Sequence, residues 1–331
     1  MNYEEFKQVV EKEFMDYMPE KLQHLKLNIC PVRYVNETRD AMAFLEPDKP
    51  GGISPTIYVN DLYERYVELG DYQKIFRKQG EEISKILDEI PVMFELDWKR
   101  AKENIVIQLI NTEQNKELLK DIPHREFHDL SIVYRWIVGK DEQGTYSALI
   151  KNGHLKSIGL DEEQLYRVAT ENYPRLLPPV IRSMDDFMED MLMEYDVPEE
   201  LEDMLFPDYG GSGKMWIVTN EEKKYGAATM LYDDVLHKIA RRMHSDLFIL
   251  PSSVHETIAV SVSIGDAKAL AEMVNEINMS QVDLADRLSN QVYHYDRKSH
   301  KLTMATNTPH KRLDEPKAQP QLITDSVPWA R

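Results

Sequence analysis

Apolar positions near the N-terminus recur mainly at helical spacing. They predict three amphipathic helices, over residues 2–18, 57–69 and 72–90. Between the first two helices, strand-like alternation over residues 25–35 and an apolar run over 41–45 predict a β-hairpin. Gly70 and Pro91 end the second and third helices, because neither residue favours the continuation of a helix. We therefore expect residues 1–97 to form an N-terminal subdomain of helices and a hairpin.

Strand-like runs dominate the sequence after Trp98. They cover residues 105–110, 130–138, 145–150, 215–218, 247–250, 257–264, 292–295 and 301–304. Short polar turns join several neighbouring runs as hairpins, and the runs do not follow a regular βαβ rhythm. The pattern predicts an α+β fold, with a mixed or mostly antiparallel sheet and helices packed on it, in one large domain or two intimate subdomains. Residues 98–305 are expected to form this core.

Helical patterns separate these strands. We expect helices over residues 112–120, from Asp161 to the residue before Pro174, over 227–243, and after the N-cap residue Asp266. The buried face of the last helix is predicted from the apolar residues at its i, i+3, i+4 and i+7 positions, which are Leu270, Met273, Val274 and Ile277. Pro178 and Pro179 predict a bend. The proline-rich residues 306–331 lack periodicity and predict a disordered tail, or one that docks only through Leu322, Ile323 and Trp329.

Composition limits the compartment and the partners. The 331 residues contain 42% hydrophobic and 30% charged side chains, and no apolar run approaches the ~20 residues that span a bilayer. The N-terminus is acidic and amphipathic, unlike a signal peptide, so we expect a cytoplasmic protein. The single cysteine, Cys30, excludes an intrachain disulfide. A net charge of -18 repels phosphate backbones and anionic lipids, so we expect no direct contact with nucleic acid or membrane.

The turn over residues 251–256 places two hydroxyls, a histidine and a carboxylate between two strand-like runs. Its candidate catalytic residues are Ser252, Ser253, His255 and Glu256. A serine nucleophile needs a base within hydrogen-bond reach and a third group that orients the base. His255 and Glu256 would diverge if both were extended, because adjacent strand residues point to opposite faces. A structural turn, in which the hydroxyls satisfy backbone groups, explains the same residues.

Two other motifs resemble known sites, one for a metal and one for a phosphate, but neither matches its pattern. His124 and His128 would share a helix face and could chelate Zn²⁺, but Pro123 and the strand that follows favour a loop with surface histidines. The glycine-rich loop before Lys214 has Asp208 where a phosphate loop begins with glycine, and Met215 where it ends with Ser or Thr. We expect no metal and no cofactor.

Three stretches of the sequence carry a family resemblance. Residues 109–138, 226–240 and 246–260 resemble an uncharacterised bacterial family, found mainly in anaerobic gut bacteria, whose sharpest marker is ILPSSVHE at 249–256. The resemblance runs from the N-terminal helix to about residue 305. It implies a bacterial cytoplasmic protein and carries over no catalytic residue.

Two hypotheses about function follow. The leading one is a non-enzymatic, accessory or regulatory protein that acts through protein-protein contacts. The acidic, methionine-rich residues 184–206 favour it, because flexible methionine side chains adapt to partner peptides, although a helix with a solvated acidic face explains them too. The alternative is a hydrolase-like enzyme that uses the turn over 251–256, helped by His128 or Asp129. The sequence leaves the partner, the substrate and the oligomeric state open.

Overall fold

A computed structural model describes residues 1–45, 57–89, 101–141, 144–186, 215–251, 253–307 and 312–314. The helices are α1 (Tyr3–Glu13), α2 (Val59–Leu69), α3 (Tyr72–Glu89), α4 (Lys116–Leu119), α5 (Asn152–Ile158), α6 (Glu162–Leu176), α7 (Asp233–Met243) and α8 (Ala267–Gln281). None of the helices in these ranges is long and apolar enough to cross a membrane.

The strands form three sheets. They are β1 (Lys26–Arg33), β2 (Thr38–Leu45), β3 (Ile57–Tyr58), β4 (Ile105–Asn111), β5 (His124–Phe127), β6 (Leu130–Asp141), β7 (Gly144–Leu149), β8 (Pro179–Ser183), β9 (Met215–Asn220), β10 (Leu247–Leu250), β11 (Thr257–Ser261), β12 (Tyr293–Asp296) and β13 (Lys301–Met304). The sheet orders are β1-β2-β3, β13-β12-β10-β11-β9-β8, and β4-β6-β5 with β7 paired to β6. The neighbouring strands in the first two sheets pair antiparallel, so the predicted α+β class is confirmed.

The chain divides into two compact units. The first contains residues 1–107, 115–125 and 133–176, and the second contains 108–114, 126–132 and 177–331. The predicted subdomain boundary at residue 97 lies outside the described residues, and that division stays a prediction.

The first unit has its own aromatic core below the N-terminal hairpin. Asn2 caps α1 through a reciprocal pair of hydrogen bonds with Glu5, as expected where two free backbone N–H groups need partners. Phe6 and Phe14 then pack against Phe76 of α3, with ring centroids 5.8 and 5.2 Å apart. The β1–β2 hairpin and the two helices that follow it occur where the sequence predicts them.

The second unit is built on the six-stranded antiparallel sheet. Helix α8 packs on this sheet, where Ala271 and Val274 join a buried cluster with Leu250, Val260 and Val292. The central pair, β10 and β11, forms an antiparallel hairpin as the sequence predicts, with Leu250 opposite Ile258. This pair carries the candidate turn at one end.

The buried face of α8 differs from the prediction. Met273 and Ile277 are each 41% exposed, whereas Asn275 and Asn278 are buried beside Ala271 and Val274. The reason is a polar partner inside the fold. The side-chain amide of Asn278 donates to Ser289 O at 3.1 Å and to Asn290 Oδ1 at 2.7 Å, so its burial does not leave the donor unsatisfied.

Strand β11 is shorter than predicted. It ends at Ser261, whose hydroxyl accepts a hydrogen bond from Ser263 N and begins a 3-10 turn over Val262–Ile264. The local cap competes with strand pairing, as serine side chains commonly do. Val262 and Ile264 therefore do not continue the strand face of Ile258 and Val260, and Ile264 is exposed.

Two prolines occupy positions that the sequence interpretation did not give them. Pro174 lies inside α6, two residues before its end at Leu176, where the missing N–H costs only a bond of the last turn. Pro179 begins β8 instead of marking a bend, and β8 is the edge strand of its sheet, a place where proline is tolerated.

Three other segments also differ from their predicted structure. Residues 124–127 form the strand β5 instead of a loop. The helix predicted over 112–120 is confined to α4, and the one predicted over 227–243 divides into a 3-10 turn (Gly226–Leu231) followed by α7.

Within the predicted tail, Leu313 is buried, and its carbonyl accepts a hydrogen bond from Arg287 Nη1 at 2.8 Å. Leu322, Ile323 and Trp329 lie outside the described residues.

Candidate functional site

The turn between β10 and β11 is held in place by backbone contacts with two distant segments. Val254 is buried; its N–H donates to Asp286 O at 2.8 Å, and its carbonyl accepts from Ala227 N at 3.3 Å. Ser253 adds an isolated antiparallel bridge to Arg287. The turn is therefore fixed between the segments at 227 and 286–287.

Gly226 lets these segments approach closely. A Cβ atom at this position would lie 2.2 Å from His255 O and 2.2 Å from Thr219 Oγ1, far inside van der Waals contact. Thr219 Oγ1 donates to the same His255 carbonyl at 2.8 Å. The preceding Tyr225 adopts a left-handed backbone conformation (φ 58°), and its ring stacks on the His255 ring with centroids 6.4 Å apart.

The side chain of His255 pairs with a carboxylate that sequence reasoning missed. Its Nε2 lies 3.2 Å from Asp286 Oδ1, and the imidazole side chain is one-third exposed. Its Nδ1 is buried and has no hydrogen-bond partner among the described residues. Asp286 follows 31 residues later in the chain, in a 3-10 turn, and nothing in its spacing indicated this contact.

The other predicted residues of the turn do not join this pair. The hydroxyl of Ser253 accepts from the backbone N–H of His255 at 3.0 Å, which is an ordinary turn contact. Glu256 is exposed, and Ser252 lies outside the described residues. The described geometry thus supplies an imidazole whose Nε2 is oriented by a carboxylate and whose Nδ1 is enclosed. The catalytic role of the four residues stays a prediction.

The proposed helpers His128 and Asp129 belong to a network of contacts that does not include the His255 side chain. Asp129 accepts a 2.6 Å hydrogen bond from Ser289 and a second bond from the buried hydroxyl of Tyr293. Burial is the largest cause that raises the pKa of Tyr293 well above its usual value. His128 has a left-handed backbone (φ 59°), and its Nε2 lies 3.3 Å from Leu302 O. These contacts tie the β5–β6 turn to β12 and β13. Ser289 also joins Asp129 to the candidate turn, because its backbone N–H donates to Pro251 O at 2.9 Å.

The histidines of the metal alternative have separate surroundings. His124 Nδ1 lies 3.1 Å from Ile122 O at the start of β5, and His128 follows the end of that strand. Because residues rise farther apart along a strand than along a helix, β5 places His124 and His128 much farther apart than one helical turn would. Over the described part of the chain, no three or more His, Cys, Asp or Glu side chains form a group that could hold a metal ion.

A second feature of the same unit is a groove of about 560 Å³ beside α7. Its lining residues are mostly basic: His237, Lys238, Arg241, Arg242, His244 and Arg297, with Asp234 as the acidic member. The other α7 residues of this lining lie three, four, seven and eight positions after Asp234, so they share one helix face with it. Arg297 comes from the turn between β12 and β13. The sequence predicts a helix over this segment and does not indicate the groove.

A chain of side-chain contacts supports one wall of this groove, which we call the Asp233 network. Tyr295 donates to Asp233 Oδ1, and His300 Nδ1 lies 2.8 Å from Asp233 Oδ2. The hydrogen bond from Tyr295 is the largest cause that holds the pKa of Asp233 below its usual range. The His300 ring then stacks on His237 with centroids 4.1 Å apart. The stack on His300 therefore holds the His237 ring in its orientation.

The chain belongs to DUF5688, a family of unknown function, whose model matches residues 3–297. This match confirms the resemblance to an uncharacterised family. The marker over residues 249–256 and the origin in anaerobic gut bacteria stay predictions. No curated protein and no solved structure matches this chain.

Proposed function

We propose that this protein is a non-enzymatic, accessory or regulatory protein of the bacterial cytoplasm, which acts by binding a partner protein through the outer face of α8. The observation that carries the proposal is the exposure of Met273 and Ile277, each 41% accessible to solvent. They lie four positions apart and so form one apolar patch on the helix. We call these two residues the α8 patch.

The fold leaves this patch outside for a physical reason. The inner face of α8 is occupied by Ala271 and Val274 together with the buried Asn275 and Asn278. Leu270 packs against the same buried cluster, so Met273 and Ile277 are left on the outer face. Covering an exposed Met or Ile contributes about 1–2 kcal/mol, which favours a partner that supplies apolar side chains. Methionine adapts well to such contacts.

The charges around the patch define the chemistry of the partner. Glu272 and Glu276 are exposed next to Met273 and Ile277, and the whole chain has a net charge of -18. A partner segment that combines an apolar stripe with flanking Lys or Arg residues complements both features. The acidic segment that favoured a protein partner in the sequence lies almost wholly outside the described residues.

Fluorescence anisotropy tests this proposal with a labelled amphipathic peptide of leucine and lysine at helical spacing. The double variant Met273→Ser/Ile277→Ser is expected to weaken binding about tenfold, the equivalent of ~1.4 kcal/mol. The matched control is Val67→Ser/Leu69→Ser, which removes two exposed apolar side chains from α2 and should leave the affinity unchanged. Urea denaturation establishes that both variants are folded.

Two outcomes contradict the proposal. One is equal affinity of the wild type and the α8 variant for the peptide. The other is a concentration-dependent dimer in sedimentation that the α8 variant dissociates, because a second copy of the chain would then cover the patch.

A second candidate function is the hydrolase-like enzyme at the turn, which the His255–Asp286 pair favours. A carboxylate that orients an imidazole favours its action as a general base, which here requires that water reach the enclosed Nδ1. Turnover of chromogenic esters should fall at least about a hundredfold in His255→Ala, as expected for the loss of a general base, and substantially in Asp286→Asn. Glu256→Ala, which alters an exposed residue of the same turn, is the control. Wild-type rates equal to the buffer blank would exclude this candidate for the esters tested.

A further inference from the structure

Four cationic side chains converge on the groove beside α7 although the protein as a whole is strongly acidic. Lys238, Arg241, Arg242 and Arg297 face a cavity that contains one carboxylate, Asp234. No ion pair joins any of these four to a carboxylate within the portion of the chain that the structure describes. We propose that this groove binds a small phosphate compound that carries at least two negative charges.

The helix dipole explains only part of this charge. Arg241 and Arg242 stand in the last turn of α7, where cations interact favourably with the free carbonyl groups. Lys238 lies a turn earlier, and Arg297 comes from the β12–β13 turn, which has no share in that dipole. Cations from two elements therefore meet in one cavity, where they repel each other in the absence of an anion.

Several of these groups are held in place before any ligand binds. The Arg242 guanidinium lies over the Trp216 ring, 5.2 Å from its centroid. The backbone N–H of Arg297 donates to Asp246 Oδ1 at 3.1 Å, which fixes the start of its turn. His237 is oriented by its stack on His300 within the Asp233 network. A site whose donors are already ordered loses less conformational entropy when it binds an anion.

Size and charge select the class of ligand. The cavity volume of about 560 Å³ lies in the range of small-molecule sites. Guanidinium groups match phosphate oxygens with paired hydrogen bonds, and several cations suit more than one charge. A long polyanion is disfavoured because the chain as a whole carries a net charge of -18. A compact ligand such as a diphosphate meets only the groove.

Titration of the full chain with inorganic pyrophosphate tests the proposal, by calorimetry and by tryptophan fluorescence. The double variant Arg241→Gln/Arg297→Gln is expected to weaken pyrophosphate binding at least about tenfold, because it removes two charge-assisted hydrogen-bond donors. The variant Lys74→Gln/Arg77→Gln makes the same change of charge on the exposed side of α3 and should alter the affinity less than about twofold, because it leaves every residue that lines the groove unchanged and exposed charges are screened by salt.

The Trp216 contact supplies a readout that depends on the geometry. Anion binding to Arg242 should change the Trp216 emission, and Trp216→Phe should remove that fluorescence change while the calorimetric heat remains. The proposal is overturned if the wild type binds neither pyrophosphate nor a nucleoside triphosphate, or if the two charge variants bind equally well. Tighter binding of a single-stranded oligonucleotide, lost in the Arg241/Arg297 variant, also overturns it, because the ligand would then be a nucleic acid.

Discussion

Replacing Gly226 by alanine is expected to destabilise the second unit by forcing apart the segments that fix the candidate turn. The added Cβ would lie 2.2 Å from both His255 O and Thr219 Oγ1, and 3.1 Å from Asn220 N. Neither oxygen can retreat easily, because Thr219 donates to the His255 carbonyl at 2.8 Å and both residues adjoin paired strands. Position 226 therefore requires glycine, because there is no space for a Cβ atom.

The magnitude follows from two contributions. Overpacking by a single carbon in a fixed environment costs about 1–3 kcal/mol, and contacts as short as these place Gly226 at the upper end. Displacing Thr219 Oγ1 also loses its hydrogen bond, which contributes about 1 kcal/mol. The expected loss is therefore roughly 3–4 kcal/mol, equivalent to about 6–16 °C in the melting temperature of a unit of this size.

Thermal and urea denaturation measure this loss, with Gly139→Ala as the matched control. A Cβ at Gly139 meets no heavy atom within 4 Å, so its substitution should change the stability by less than about 0.5 kcal/mol. A Gly226→Ala protein that melts within about 2 °C of the Gly139→Ala protein would refute the close-approach argument, since less than about 1 kcal/mol would then be lost.

Three further predictions concern other contacts. Thr219→Val should cost about 1–2 kcal/mol by leaving the His255 carbonyl without its donor, whereas Thr219→Ser keeps the hydroxyl; equal urea midpoints for the two variants would contradict this. Gly80→Ala should cost about 1–3 kcal/mol in thermal denaturation, because its Cβ would lie 2.7 Å from Tyr17 O; wild-type stability would disprove the clash. Burial raises the pKa of Tyr58 to about 12, so its contribution is complete below pH 10 and is lost as the pH rises towards 12. Between pH 9 and 11 the wild type should therefore lose about 1 kcal/mol more stability than Tyr58→Phe, and parallel pH curves would disprove the shift.

The local sequence was sufficient for most elements of the fold. The capping contacts of α1, the left-handed Gly70 after α2 and the Asp266 cap of α8 all lie where short-range patterns place them. The register of the β10–β11 hairpin also agrees with the alternation of its residues. These features depend on neighbours within a few residues, so the chain carries their information in one place.

The outer and inner faces of α8 could not be assigned in the same way. The apolar residues Met273 and Ile277 satisfy the helical spacing of a buried face as well as Val274 does. The face with Asn278 is buried because Ser289 and Asn290 accept hydrogen bonds from its side-chain amide. Periodicity measures hydrophobicity along a helix and contains no information about a polar partner that a later segment supplies.

The candidate site shows the same limit. The sequence alone placed Ser253, His255 and Glu256 in one turn, but it did not supply the contact between His255 and Asp286.

What the sequence by itself determined is therefore most of the helices and strands, the α+β class and the family. Only the tertiary structure decided which side chains meet, such as Arg241 of α7 and Arg297 of the β12–β13 turn at one groove. The physical reason is that backbone conformation follows from local sterics and hydrogen bonds, whereas a site is formed by groups far apart in the chain. Their meeting depends on how the sheet and helices pack, and no spacing in the sequence encodes it directly.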